Sequence, residues 1–161
     1  MDVHIVGISD LYVSNNRNDV LKTFSLGSCI GITIYDPVAV VGGLLHIMLP
    51  LSTSSPDKAK DKPGMFADTG LTLLLNKLSS KGATKKNMVV KIAGGSKMMD
   101  HNNFFNIGQR NFAAIRKHLW KESILISAQD VGGSISRTMW LNMNDGRVYV
   151  KSVNGEVELC K

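Results

Sequence analysis

Short apolar runs separated by turn residues cover most of the chain, and this punctuation restricts the fold more than any other feature. The segments 3–8, 20–26, 29–35, 43–49, 89–93 and 123–128 are rich in Val, Ile, Leu, Phe and Tyr, which favours strands over helices. Ile30, Ile32 and Ile34 alternate with Gly31, Thr33 and Tyr35, as in a strand with one buried face, and Asp36-Pro37 turns the chain after it. Segments 138–143 and 147–151 flank Asn144-Asp145-Gly146, a hairpin signal. Only two segments carry a helical period. In 66–80, Leu71, Leu74, Leu75 and Leu78 share a face and Gly82 supplies the stop; in 109–121, Phe112, Ile115 and Leu119 do the same. Many strands and two helices predict an α+β architecture: layered, packed β-sheets with two main helices on one side.

The polar stretch 51–64 carries Pro56 and Pro63 and no apolar period, so it reads as a mobile loop. It begins five residues after His46, which makes it a candidate substrate lid. A chain of 161 residues suffices for one domain, taken as 1–161, with 43% hydrophobic and 20% charged residues. The most apolar stretch, 38–51, is interrupted by Gly42, Gly43, His46 and Pro50, and is too short to span a bilayer. With no signal-peptide pattern at the start, the expected location is the cytoplasm, without membrane insertion. The net charge of +6, with lysines at 58, 60 and 62 and at 77, 81, 85 and 86, fits a solvated surface or attraction to an acidic partner. Nucleic acid is not expected, because no basic region is interleaved with stacking aromatics.

The two cysteines differ in setting. Cys160 is penultimate, whereas Cys29 lies in Thr23-Phe24-Ser25-Leu26-Gly27-Ser28-Cys29-Ile30-Gly31. A cysteine nucleophile needs a base, N–H donors for a developing oxyanion, and room for substrate. Gly27 and Ser28 permit a tight turn, and Gly31 adds no bulk. His46, on a neighbouring apolar strand, is the candidate base, and an ion pair between the two would depress the thiol's pKa. Thr23 is placed to hold the imidazole through its hydroxyl or its carbonyl. Composition and spacing alone still favour a plain core cysteine and a plain core histidine.

The motifs taken together resemble the CheD family. They are Thr-x-x-x-Gly-Ser-Cys-x-Gly, Tyr35-Asp36-Pro37, Gly-Gly-Leu-x-His-Ile-Met-Leu-Pro, Phe66-Ala67-Asp68, Lys91-Ile92-Ala93-Gly94-Gly95, Ile107-Gly108-Gln109-Arg110-Asn111, and Asp130-Val131-Gly132-Gly133 with Arg137. They span 23–155. The resemblance implies a cysteine-hydrolase-like domain that converts selected glutamines of methyl-accepting chemotaxis receptors to glutamate, releasing ammonia. It maps the catalytic set onto Cys29, His46 and Thr23, with Gly27, Ser28 and Gly31 lining the oxyanion site and substrate cleft. It implies a covalent thioester route without metal or cofactor, and a CheC-type phosphatase as a further partner. It leaves open a weakly catalytic adaptor that binds receptors and such a phosphatase, or a cysteine hydrolase acting on another protein. Ser136 before Arg137, Gln109 and the composition of 51–64 depart from the family pattern.

Three other features were weighed. Gly94-Gly95-Ser96-Lys97 lacks the order of a phosphate loop and reads as a turn after a strand. Asp100-His101 has no second ligand pair at metal-binding spacing. Arg110 and Asn111 read as helix-opening residues, or, by the resemblance, as support for the fold around the site.

Overall fold

The computed structural model describes residues 1–97 and 106–160. Among the described residues, ten strands form two five-stranded sheets. The first runs β1(Asp2–Ile5), β3(Asp19–Leu26), β8(Arg137–Asn142), β9(Val148–Ser152) and β10(Gly155–Glu158), in that spatial order. The second runs β2(Leu11–Ser14), β5(Val41–Ile47), β4(Ile30–Asp36), β6(Val89–Gly94) and β7(Ile126–Val131). Pairing is antiparallel except for β1 with β3 and β6 with β7.

The sheets stack, and α2(Ala67–Ser80) and α3(Ile107–Lys121) cover the outer face of the second one. The two cores follow from strand alternation. Ile30, Ile32, Ile34, Leu45 and Ile47 meet Leu71, Leu74, Leu78, Ile115 and Leu119 beneath the helices. Leu21, Leu26, Leu44, Met139, Leu141, Val148 and Val150 fill the space between the sheets, with Tyr35 among them. This is the layered α+β arrangement expected from the sequence, with both main helices on one side. The one-faced reading of β4 is corrected: all seven of its residues are buried, because it is sandwiched between the helices and the other sheet. Period-two alternation cannot separate these cases when the second face is lined by Gly31, Thr33 and Tyr35.

The segment 51–64 also departs from expectation. It holds a short helix, α1(Pro56–Asp61), flanked by 3-10 turns at Ser52–Ser54 and Pro63–Met65. Proline at the first helical position supports α1. The Asp68 carboxylate accepts from the Ser52 N–H at 3.0 Å and the Ser52 hydroxyl at 2.6 Å. Strand β7 sits three residues later than expected. The backbone closing α3 uses Ser123 at φ 59° and an Ile124 N–H bond to the Leu119 carbonyl, which delays entry into the sheet. No described helix is long and apolar enough to cross a membrane.

Candidate active site

Strand β3 belongs to one sheet and β4 to the other, so the chain crosses between layers at Gly27, Ser28 and Cys29. The crossing is prepared by a bulge: the β3–β8 register shifts between Thr23 and Leu26, with Ser25 in the left-handed region at φ 59°. A non-glycine residue held there is strained and stays only because its surroundings fix it. The Ser25 carbonyl also accepts from the Gly27 N–H at 3.0 Å, tightening the bend.

Cys29, half-buried, packs against the core between the sheets. His46 lies on β5 opposite Gly31. Cys29 immediately precedes β4 on the crossing, two residues before Gly31. Since Leu45 and Ile47 face the helices, His46 faces the first sheet, where Thr23 meets it. The Thr23 hydroxyl and His46 Nδ1 are 2.7 Å apart.

That contact fixes the imidazole tautomer. The Thr23 hydroxyl has one hydrogen and donates it to the Val6 carbonyl at 2.7 Å. Toward His46 it can only accept, so Nδ1 carries the hydrogen and Nε2 bears a lone pair. His46 Nε2 is buried and has no partner among the described residues. Of the two routes considered for Thr23, the hydroxyl is the one observed.

Burial opposes charge at both groups. It pushes the His46 pKa down to about 4, and it pushes the Cys29 thiol up, an effect only partly offset by the cysteine's own N–H. Burial thus works against the depressed thiol pKa and the ion pair expected from the sequence, because both charged forms lose hydration.

The crossing is held on its other side by backbone. Gly95 N–H donates to the Cys29 carbonyl at 2.9 Å, and Ser96 N–H to the Gly27 carbonyl at 2.8 Å. Gly94 must be glycine: at φ 112°, a side chain there would come within 2.3 Å of the Cys29 carbonyl oxygen. Arg137 braces this stretch, donating to the Ser96 hydroxyl at 2.8 Å and to both Asp130 oxygens at 3.3 Å. From α3, Asn111 Nδ2 donates to the Ser28 carbonyl at 2.9 Å and to the Met48 carbonyl at 3.0 Å.

Of the residues singled out in the sequence, Thr23 and His46 are in hydrogen-bond contact, with Gly27, Ser28 and Cys29 on the adjoining crossing. Gly31 has a different place from the one expected. A side-chain carbon there would lie 3.0 Å from Met139 and 3.1 Å from Leu26, so Gly31 lets the sheets approach and does not open a cleft. The turn that carries Ser96 follows β6 as expected, whereas its bracing by Arg137 is not legible, since no spacing links Arg137 to Cys29. Asp100 and His101 lie outside the described residues.

The chain as a whole is similar to known proteins. A family model described as CheD chemotactic sensory transduction matches residues 48–152. A probable chemoreceptor glutamine deamidase CheD 1 from Syntrophus aciditrophicus is 54% identical over 151 residues, covering 94% of each chain. A probable chemoreceptor glutamine deamidase CheD from Solibacter usitatus is 44% identical over 99% of this chain and 94% of its own. A third, CheD 2 from Anaeromyxobacter dehalogenans, is 46% identical over 94% of this chain and 96% of its own. A crystal structure of a Neisseria meningitidis protein, family-model DUF152, is a distant likeness at 11% identity and a TM-score of 0.47, over 83% of this chain and 63% of that one. With the family model matching residues 48–152 and relatives 44–54% identical over 94–99% of this chain, the chain belongs to the CheD family.

Proposed function

We propose that this protein is a protein-glutamine deamidase acting on chemoreceptors, with Cys29 as nucleophile and His46 as base. The relatives named as chemoreceptor glutamine deamidases support the reaction and the substrate. The observation that carries the residue roles is the relay from the Val6 carbonyl through Thr23 to His46, which leaves Nε2 as a buried acceptor in the layer that holds Cys29. The reading treats 1–161 as one catalytic domain working in the cytoplasm, where receptor signalling helices would present their glutamines.

The Cys29 thiol passes its proton to Nε2 as sulfur adds to the carboxamide carbon, giving a tetrahedral oxyanion and an imidazolium. The C–N bond then breaks, the imidazolium proton leaves with the nitrogen as ammonia, and a thioester remains. Water gives a proton to Nε2 and its oxygen to the carbonyl carbon. The C–S bond breaks, the thiolate recovers that proton, and glutamate is left. The oxyanion forms only as sulfur or water adds to the carbonyl carbon, so donors near the crossing act on a charge formed during the reaction.

The test is mass spectrometry of a receptor cytoplasmic fragment after incubation, reading the mass change of amide to acid at glutamine together with released ammonia. Wild type and Cys160→Ala should both deamidate, and Cys29→Ala should not. Deamidation by Cys29→Ala at the wild-type rate would overturn the covalent reading. Absence of glutamate from every receptor fragment, with turnover of another protein, would move the substrate elsewhere.

A further inference from the structure

Three consecutive carbonyls of the crossing are held from outside it. Gly27 accepts from Ser96 N–H at 2.8 Å, Ser28 from Asn111 Nδ2 at 2.9 Å, and Cys29 from Gly95 N–H at 2.9 Å. In a planar trans peptide the carbonyl and the following N–H point in opposite directions. Holding the Gly27 carbonyl therefore turns the Ser28 N–H away from Ser96, and holding the Ser28 carbonyl turns the Cys29 N–H away from Asn111. Among the described residues neither N–H donates to a backbone carbonyl.

Two of the three holding groups are backbone. Asn111 is the side chain among them, fully buried on α3, and its amide also grips the Met48 carbonyl two residues beyond His46. One NH₂ group thus sets both the orientation of the Ser28–Cys29 peptide and its spacing from the strand that carries the imidazole.

We propose that Asn111 is a positioning residue for oxyanion stabilisation: by holding the Ser28 carbonyl, it aims the Cys29 N–H at the oxygen that becomes negative when sulfur adds to the amide. This rests on the covalent reading above. It predicts a defect confined to the step that builds charge on oxygen. Alkylation of Cys29 by iodoacetamide displaces iodide from a saturated carbon and forms no oxyanion, so it reports the thiol and its base without reporting the N–H.

The experiment compares wild type with Asn111→Ala and with Asn111→Leu, which keeps most of the side-chain volume but has no donor. Both should lower kcat on a receptor fragment about tenfold to a hundredfold, less than the roughly 10²–10³ lost when an oxyanion donor itself is removed, with KM changed less than about twofold. The pH profile of Cys29 alkylation should superimpose on the wild-type profile. An unchanged kcat overturns the assignment. So does a fall in kcat matched by a displaced alkylation profile, which would make Asn111 a support for the thiol and imidazole, or a rise in KM alone. Loss of the folded state in both variants, read from their melting curves, overturns it too, because Asn111 would then serve the fold. Cys29→Ala run alongside separates the readings: if it retains turnover, the nucleophile is wrong whatever the Asn111 variants do.

Discussion

Thr23 shows how one hydroxyl decides what a neighbouring ring can do. Its hydrogen is committed to Val6, so it fixes His46 in the form with a free Nε2. Thr23→Val keeps the shape but leaves the Val6 carbonyl and the Nδ1–H without a partner in a dry layer. It should lower the unfolding free energy in urea by about 1–3 kcal/mol and reduce kcat, while Thr23→Ser restores both. His46 itself gives a pH signature. Its folded pKa is lowered to about 4 from an ordinary 6.5, so between these values the unfolded chain binds more protons and stability falls as pH falls. The gap corresponds to on the order of 3 kcal/mol, present above pH 6.5 and lost progressively toward pH 4. The difference between wild type and His46→Asn in denaturant titrations across that window measures it; parallel curves would contradict the assignment. These residues were legible in the sequence because a cysteine after Gly-Ser and a histidine within Gly-Gly-Leu-Leu-His form recognisable local strings. Their burial was not legible. It arises from how the two sheets close over the site, and no local string encodes it.

Elements with strong periodicity were legible to within a few residues. The leucine stripe of α2 and the hairpin of β8 and β9 each carry enough pattern to identify themselves. The strands β2 and β10 do not. Each is four residues long, and Gly-Glu-Val-Glu is an exposed edge with no apolar face to betray it. The segment 51–64 reads as a loop without regular structure, and its helical turns are not legible because they are tied to a distant partner, the Asp68 carboxylate at the start of α2, rather than announced by its own composition. Removing that partner should restore the expected mobility. Asp68→Ala should speed tryptic cleavage after Lys58, Lys60 or Lys62 severalfold at a concentration that spares wild type, while leaving the melting temperature of the core nearly unchanged. A cleavage pattern identical to wild type would show that α1 is ordered by its own contacts.

At the scale of the whole molecule, the net charge of +6 bears on how an acidic substrate would approach the site. Lys58 and Lys60 lie on α1 and Lys62 just beyond it, all exposed, and this segment returns to pair Leu49 with Phe66 beside the end of β5. If receptor helices present an acidic surface, encounter should be steered, and kcat/KM should fall as salt shortens the Debye length from ~10 Å at 0.1 M to ~3 Å at 1 M. Replacing Lys58, Lys60 and Lys62 with Ser should raise KM and flatten that salt dependence, with iodoacetamide alkylation of Cys29 unaffected. Unchanged KM and slope would assign docking to another face. The layering was legible from strand count and helix count; which strands share a sheet was not, because β3 and β4 are consecutive yet belong to different ones. That crossover carries a consequence for the life of the polypeptide. Ser28 is held by Asn111, 83 positions downstream, and the strand bearing Thr23 pairs with β8, which begins at Arg137. If Cys29 is the nucleophile, a growing or half-opened chain lacking either element would carry it as an ordinary thiol, and reactivity would appear only once these distant parts have closed on the crossing.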